Sequence, residues 1–241
     1  MANRVVLTPE VRLSYPALIE PKEFIDKGVK SGKFSYQAQA IIPEASLGKF
    51  LIPDGASLKE VSLEQLLIEL AKEEWPGIVI KEAFAGALSR GWPLKRGDRI
   101  ADDLLAAAEK AGKEAPKVDH LRGCRVLSVK SNVHPKVSPP QLELAGKPKA
   151  RILNRNIAAD MQAAKNAFQA GNYAVFDLNI KASTVSGLKY LTPYFNSVRW
   201  TRDGEKLGNG GGGLMGRFDG INGGSADHDP TQGLVEDEIP F

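Results

Sequence analysis

Apolar and polar side chains alternate most clearly over residues 33–42. Phe34, Tyr36, Ala38 and Ala40 face one way there, and Ser35, Gln37 and Gln39 the other. This is the period-2 pattern of a strand with one buried face. The same period returns over 173–182, where Ala174, Phe176, Leu178 and Ile180 oppose Tyr173, Val175, Asp177, Asn179 and Lys181. Residues 188–202 are β-branched and aromatic and end at an Asp203-Gly204 turn, which predicts a further strand. Two more are expected at 4–15, ended by a turn signal at Tyr15-Pro16, and at 122–131. Between these the period lengthens. Val61, Leu66, Leu67, Leu70 and Ala71 form a helical stripe within 57–74, and 102–111 and 157–169 predict two more helices, the last capped by Gly171. Strands with interposed helices and no internal repeat predict a mainly β, α+β fold: a small β-barrel carrying insertions.

The pattern stops near residue 207. Nine of the seventeen residues from Gly208 to Gly224 are glycine, too little apolar surface and too much backbone entropy to fold. We therefore expect a folded body over 1–207, a Gly-rich linker over 208–224 and a disordered acidic tail over 225–241. That tail ends in Glu236, Asp237, Glu238, Ile239, Pro240 and Phe241, an acidic-hydrophobic hook suited to capture by other proteins. Bacterial single-stranded-DNA-binding proteins end in a very similar way.

Charge divides along the same line. The chain has 32 Lys+Arg and 29 Asp+Glu, and residues 225–241 hold five of those acids and no Lys or Arg. Residues 1–224 are left with 32 basic against 24 acidic groups. A basic body suits a polyanion, and the tail is a polyanion that could compete for it. The single Cys124 precludes an internal disulfide and fits a reducing cytoplasm. No signal-peptide layout is present, and no apolar run approaches the roughly 18 residues of a membrane span. A soluble intracellular protein is expected.

Catalytic patterns are absent from the sequence. His120, His134 and His228 are far apart, no Cys/His cluster has zinc spacing, and the glycine run lacks the Lys-Ser/Thr ending of a phosphate-binding loop. Asp102 and Asp103 diverge by about 100° on a helix, so they make no metal pair. A non-enzyme without metal or cofactor is expected. What remains is aromatic residues interleaved with basic ones. Single-stranded nucleic acid needs cations along its phosphates and flat side chains under its bases, and stacking contributes about 1–3 kcal/mol per base whatever the sequence. The candidates are Lys30, Lys33, Phe34 and Tyr36; Trp92, Lys95 and Arg96; and Arg122, Arg125 and Lys130. Later in the chain they are Tyr173 and Lys181, then Lys189, Tyr190 and Tyr194. Tyr173 is the leading single candidate, because it lies on the polar face of its strand. Trp75, Phe84, Phe195 and Trp200 are assigned to packing.

Three segments carry a resemblance. Leu94-Lys95-Arg96-Gly97-Asp98, Arg122-Gly123-Cys124-Arg125-Val126, and Ser186-Gly187-Leu188 with Asp203-Gly204-Glu205-Lys206-Leu207-Gly208 resemble signatures of a phage family of OB-fold single-stranded-DNA-binding proteins. Lys95-Arg96 stand where that signature has Arg-Asp. The resemblance implies a five-stranded OB-fold barrel with elaborated loops, sequence-independent binding of single-stranded DNA in phage replication or recombination, and a homodimer in the cytoplasm of an infected bacterium. The tail would recruit replication or recombination proteins. OB folds often hold ligand at the connection between their first two strands, which adds weight to Lys30 and Lys33. Two alternatives stay open: an RNA-binding or RNA-chaperone protein, and a non-enzymatic scaffold with a docking tail.

Overall fold

The computed structural model describes residues 2–26, 29–85, 90–133, 139–146 and 149–207. The linker and tail, 208–241, lie outside the described residues, and so do the expectations placed on them. Among the described residues, eleven strands join into one sheet system, with four α-helices set around it. Long strands form where the period-2 pattern is long. β2 (Val11–Asp26) and β3 (Val29–Pro43) make an antiparallel hairpin, β7 (Cys124–Val133) pairs with β3, and β10 (Tyr173–Val185) and β11 (Leu188–Arg202) make a second hairpin. β11 meets β7 in parallel, with Tyr194 opposite Lys130, and β10 returns to β2 through Tyr173↔Arg12 and Ala174↔Val11. The pairing β2–β3–β7–β11–β10–β2 therefore closes on itself.

Further strands extend this circuit. β1 (Asn3–Leu7) pairs with β10 over Asp177–Lys181 and carries the hairpin of β4 (Phe50–Asp54) and β5 (Ser57–Val61). β6 (Leu94–Arg96) pairs with the start of β7. β8 (Gln141–Leu144) lies parallel to β11, with β9 (Arg151–Ile152) at its far side.

Inward residues of the circuit make the main core. Leu13, Ala40, Leu127, Phe176, Leu178, Ile180 and Phe195 are almost fully buried, and the Phe176 and Phe195 rings meet edge to face at 5.6 Å. Burying a side chain of this size contributes roughly 1.5–3 kcal/mol. α1 (Leu63–Glu74) lays Leu63, Leu66, Leu67 and Leu70 on the same core. The short α2 (Ile80–Ala83) brings Phe84 beneath Trp92, and α4 (Ala158–Ala167) precedes β10. α3 (Gly97–Lys110) covers the opposite side of β3 and β7, where Ile41 and Val126 pack with Ile100, Ala101 and Leu104. Its first turn carries Asp98 and its last Lys110, in the sense the helix dipole favours.

Two expectations change. Tyr15-Pro16 does not end a strand: Tyr15 takes φ 51° and the β2–β3 register slips between Ser14 and Ala17, so the turn signal is a bulge inside a continuous strand. Residues 57–61 are strand and not helix, because Gly55 at φ +60° turns the chain back from β4. The helix starts only at Leu63.

Candidate nucleic-acid interface

α3 covers Ile41 and Val126 on one part of the outer face of the circuit. Cross-strand partners place Gln37 of β3, Lys130 of β7, Tyr194 of β11, Asn179 of β10 and Val5 of β1 in one transverse row. Directly opposite residues share a face, so these five side chains form a continuous band. The next register position adds Lys181 opposite Thr192. The ammonium of Lys130 lies 5.8 Å from the centroid of the Tyr194 ring, and that of Lys181 lies 5.7 Å from it. Such cation–ring contacts hold two positive charges beside one flat side chain. Lys130 is exposed, and the protein packed along its side chain lowers the pKa of the ammonium from the ordinary lysine value. Tyr190, four residues before Tyr194 on the same face, is also half-buried and sits opposite Ser183.

The other candidates scatter. Tyr36 is 7% exposed and Trp92 is 5% exposed. Tyr36 points into the circuit, its ring under the Arg155 guanidinium at 4.6 Å, while Arg155 itself donates to the carbonyls of Leu18, Ile19 and Pro140. Trp92 packs on Phe84 at 5.2 Å. Both rings belong to the core, because their strand or loop turns them inward. Tyr173 does face outward, but Arg202 covers its ring at 3.5 Å and is anchored by Glu10 at 2.7 Å. The position chosen for stacking is thus already stacked. Arg125 is nearly buried between Glu44 (3.4 Å) and Glu64 (3.3 Å), and Arg122 pairs with Asp102 at 2.6 Å. Lys95 and Arg96 are exposed on β6, opposite Val126 and Arg125 and away from the tyrosine row. Lys33 and Phe34 are exposed toward the end of the β2–β3 hairpin, and Lys30 pairs with Ile25 nearer its tip. Lys189 is half-buried beside the site; its carbonyl is approached so closely by Gly91 that a Cβ there would lie 1.9 Å away.

The band includes residues the sequence reading passed over: Gln37, Thr192, Asn179 and Val5. Alternation places the first three outward, but register alone makes them neighbours of Tyr194. At the far end of the face, Glu143 is buried and paired with Arg199 at 2.7 Å, and burial raises the pKa of Asp177. Elsewhere the Cys124 thiol is pushed up, chiefly by burial and then by Asp98 and Glu44, which disfavours a reactive thiolate. Burial likewise lowers His120. Among the described residues no group of three or more His, Cys, Asp or Glu is placed to hold a metal, and no helix is long and apolar enough to cross a membrane.

No protein-family model matches the chain, and no curated protein matches it by sequence. Solved structures do match. The single-stranded DNA-binding protein from bacteriophage Enc34 in complex with ssDNA superposes with a TM-score of 0.55 at 16% identity, over 85% of this chain and 89% of that one. Another structure of the Enc34 protein gives 0.51 at 18% identity, over 89% and 90% of the two chains. A C-terminally truncated form gives 0.52 at 16% identity, over 84% and 88%. The chain shares its fold with these phage proteins.

Proposed function

We propose that this protein binds single-stranded DNA without sequence preference, on an OB-fold barrel made of β2, β3, β7, β11 and β10. Taken in chain order, these five strands pair first–second–third–fifth–fourth–first, with the parallel join between third and fifth. That order supports the OB assignment, and OB folds bind oligonucleotides on the face of their second and third strands. The observation that carries the ligand is Tyr194 between Lys130 and Lys181. A ring for one base and two ammonium groups for its flanking phosphates are the two elements that sequence-blind strand binding requires. The Enc34 protein of the same fold is described as a single-stranded DNA-binding protein, one of its structures holding ssDNA, which supports the same ligand here.

In this reading the protein coats strands during phage DNA replication or recombination in the host cytoplasm, as a homodimer and without catalysis. Lys33, on the Gln37 side of β3, extends the contact, and the acidic segment Glu236–Phe241 recruits partner proteins. The test is a titration of intrinsic Trp/Tyr fluorescence with a thymidine homopolymer, a duplex and an RNA of equal length. Tight binding to the homopolymer with weak duplex binding is expected. A clear preference for the RNA would transfer the site to an RNA chaperone. Absence of binding to every strand would leave a scaffold.

A further inference from the structure

We propose that β1, which stands outside the closed circuit, belongs to the binding face, and that Val5, Asn179 and Tyr194 form one base-binding step. The proposal rests on the strand-binding reading of the Tyr194 face and assigns it a wall and a floor. Val5 is opposite Asn179, and Asn179 is opposite Tyr194, on three consecutive strands. With neighbouring strands about 4.8 Å apart, Val5 and Tyr194 stand on either side of Asn179. The three side chains give an aliphatic wall, an amide floor and an aromatic wall.

Each member has a property that a base would use. Val5 is 48% exposed although its neighbour Val6 is fully buried, so an apolar surface lies open across Asn179 from the ring. A lone exposed valine is ordinary; one in the same cross-strand row as an aromatic ring and a lysine is not an isolated feature. The Asn179 Oδ1 is sealed from solvent and accepts no hydrogen bond among the described residues. A sealed acceptor without a donor is costly, and every base carries N–H donors on its edge. The Tyr194 ring has both ammonium groups beside it. Strand binding draws Lys130 and Lys181 to phosphates and frees the ring for stacking. The Asn179 amide then turns toward the base, whose edge donates to Oδ1 while its other side rests on Val5. Because thymine, cytosine, adenine and guanine all present such a donor, the step stays tolerant of sequence.

A base contact and a phosphate contact separate cleanly when the same backbone is offered without bases. Affinities are measured for a thymidine oligomer and an abasic oligomer of equal length, with wild type, Val5→Thr, Asn179→Leu, Asn179→Ser and Tyr194→Ala, each checked for folding by thermal melting. Asn179→Leu and Asn179→Ser are expected to weaken thymidine-oligomer binding about 3- to 10-fold, and Val5→Thr about 2- to 4-fold. Abasic-oligomer binding and the salt slope should stay unchanged. If Tyr194→Ala weakens thymidine-oligomer binding but the Val5 and Asn179 variants do not, the base step is wrong and the site stands. Equal losses on both oligomers would likewise overturn it. If Tyr194→Ala has no effect either, the strand-binding face itself is misplaced.

Discussion

Arg202 lies over Tyr173, its guanidinium carbon 3.5 Å from the ring centroid, while the ring of Tyr194 on the same strand pair has two lysine ammonium groups beside it, at 5.7 and 5.8 Å. The two tyrosines are therefore expected to have different tasks. Tyr173 and Arg202 tie the start of β10 to the end of β11, with Glu10 completing the cluster. Tyr173→Ala should lower folding stability by about 1–2 kcal/mol through lost stacking and burial, and leave strand affinity within about twofold. Tyr194→Ala should cost about 1–3 kcal/mol in strand binding with little change in melting. Thermal melts paired with fluorescence titrations of both variants decide between them; the reverse assignment would exchange the two tyrosines.

Period was legible in the sequence and register was not. Alternation over 173–182 placed Phe176 inward and Tyr173 outward, and both are so placed. That Tyr173 meets Arg202 depends on which residue of β11 lies opposite, which no local pattern encodes. Tyr36 shares a face with Ala38 and Ala40, and the same alternation that defined the strand already turned it toward the core. Val61 fits a helix stripe and a short strand equally, and the β4–β5 hairpin depends on the turn at Gly55. The family-like segments prove to be places where backbones touch. Gly97 abuts the carbonyls of Leu121 and Cys124, the amide of Gly123 donates to Asp98, and Gly204 abuts the carbonyl of Gly171. Those residues hold strand ends and α3 together, so they speak for fold and say nothing of a binding face.

Salt dependence should identify the phosphate contacts. Each phosphate neutralised on a single strand contributes a slope of about −0.7 in log K against log salt. Lys130→Ala with Lys181→Ala should flatten the slope by about 1.4 and weaken binding most at low salt. Lys95→Ala with Arg96→Ala, set apart on β6, serves as the matched control and should alter the slope less. An unchanged slope in the Lys130/Lys181 pair would show that these ammonium groups do not reach the backbone.

Two glycines should separate backbone strain from steric clash. Gly55 has φ +60° with open space around it, so Gly55→Ala should cost about 1 kcal/mol. At Gly97 a Cβ would lie 2.1 Å from the Leu121 carbonyl oxygen and 2.7 Å from that of Cys124. Backbone must then shift on both sides, and Gly97→Ala should cost more, roughly 2–3 kcal/mol or beyond. Urea denaturation of the two variants gives the comparison, and equal losses would mean that the α3–β7 junction relaxes freely.

Acid stability should depend on Asp160. Its carboxylate accepts from the backbone N–H of Asn154 at 2.8 Å and from the Arg151 guanidinium. The Asn154 hydrogen bond, and secondarily the Arg151 charge, hold its pKa below the ordinary aspartate value. A carboxylate with a depressed folded pKa contributes stability that is fully present above its unfolded pKa and is lost as pH falls through the folded one. Asp160→Asn should therefore destabilise the protein at neutral pH, and the gap from wild type should narrow as pH drops below the ordinary aspartate range. Denaturation curves between pH 7 and pH 3 measure that gap. A constant gap would assign the loss to geometry and not to charge.

The acidic tail should act on strand binding and partner binding separately. A Gly-rich chain of the length of residues 208–241 has an r.m.s. reach of roughly 30–35 Å, enough to return from Leu207 to the Tyr194 face of a small domain. Glu236, Asp237 and Glu238 would then compete with phosphates for Lys130 and Lys181. Deleting residues 225–241 should tighten strand binding, most at low ionic strength where charges are least screened. Phe241→Ala keeps every carboxylate and should leave strand affinity unchanged while abolishing partner recruitment. Combining the deletion with Lys130→Ala and Lys181→Ala locates the competition: if the tail works through those two cations, its removal no longer tightens binding once they are gone. A deletion that still tightens binding in their absence would place the tail on other cations, and one that changes nothing in the wild-type body would remove competition from its role.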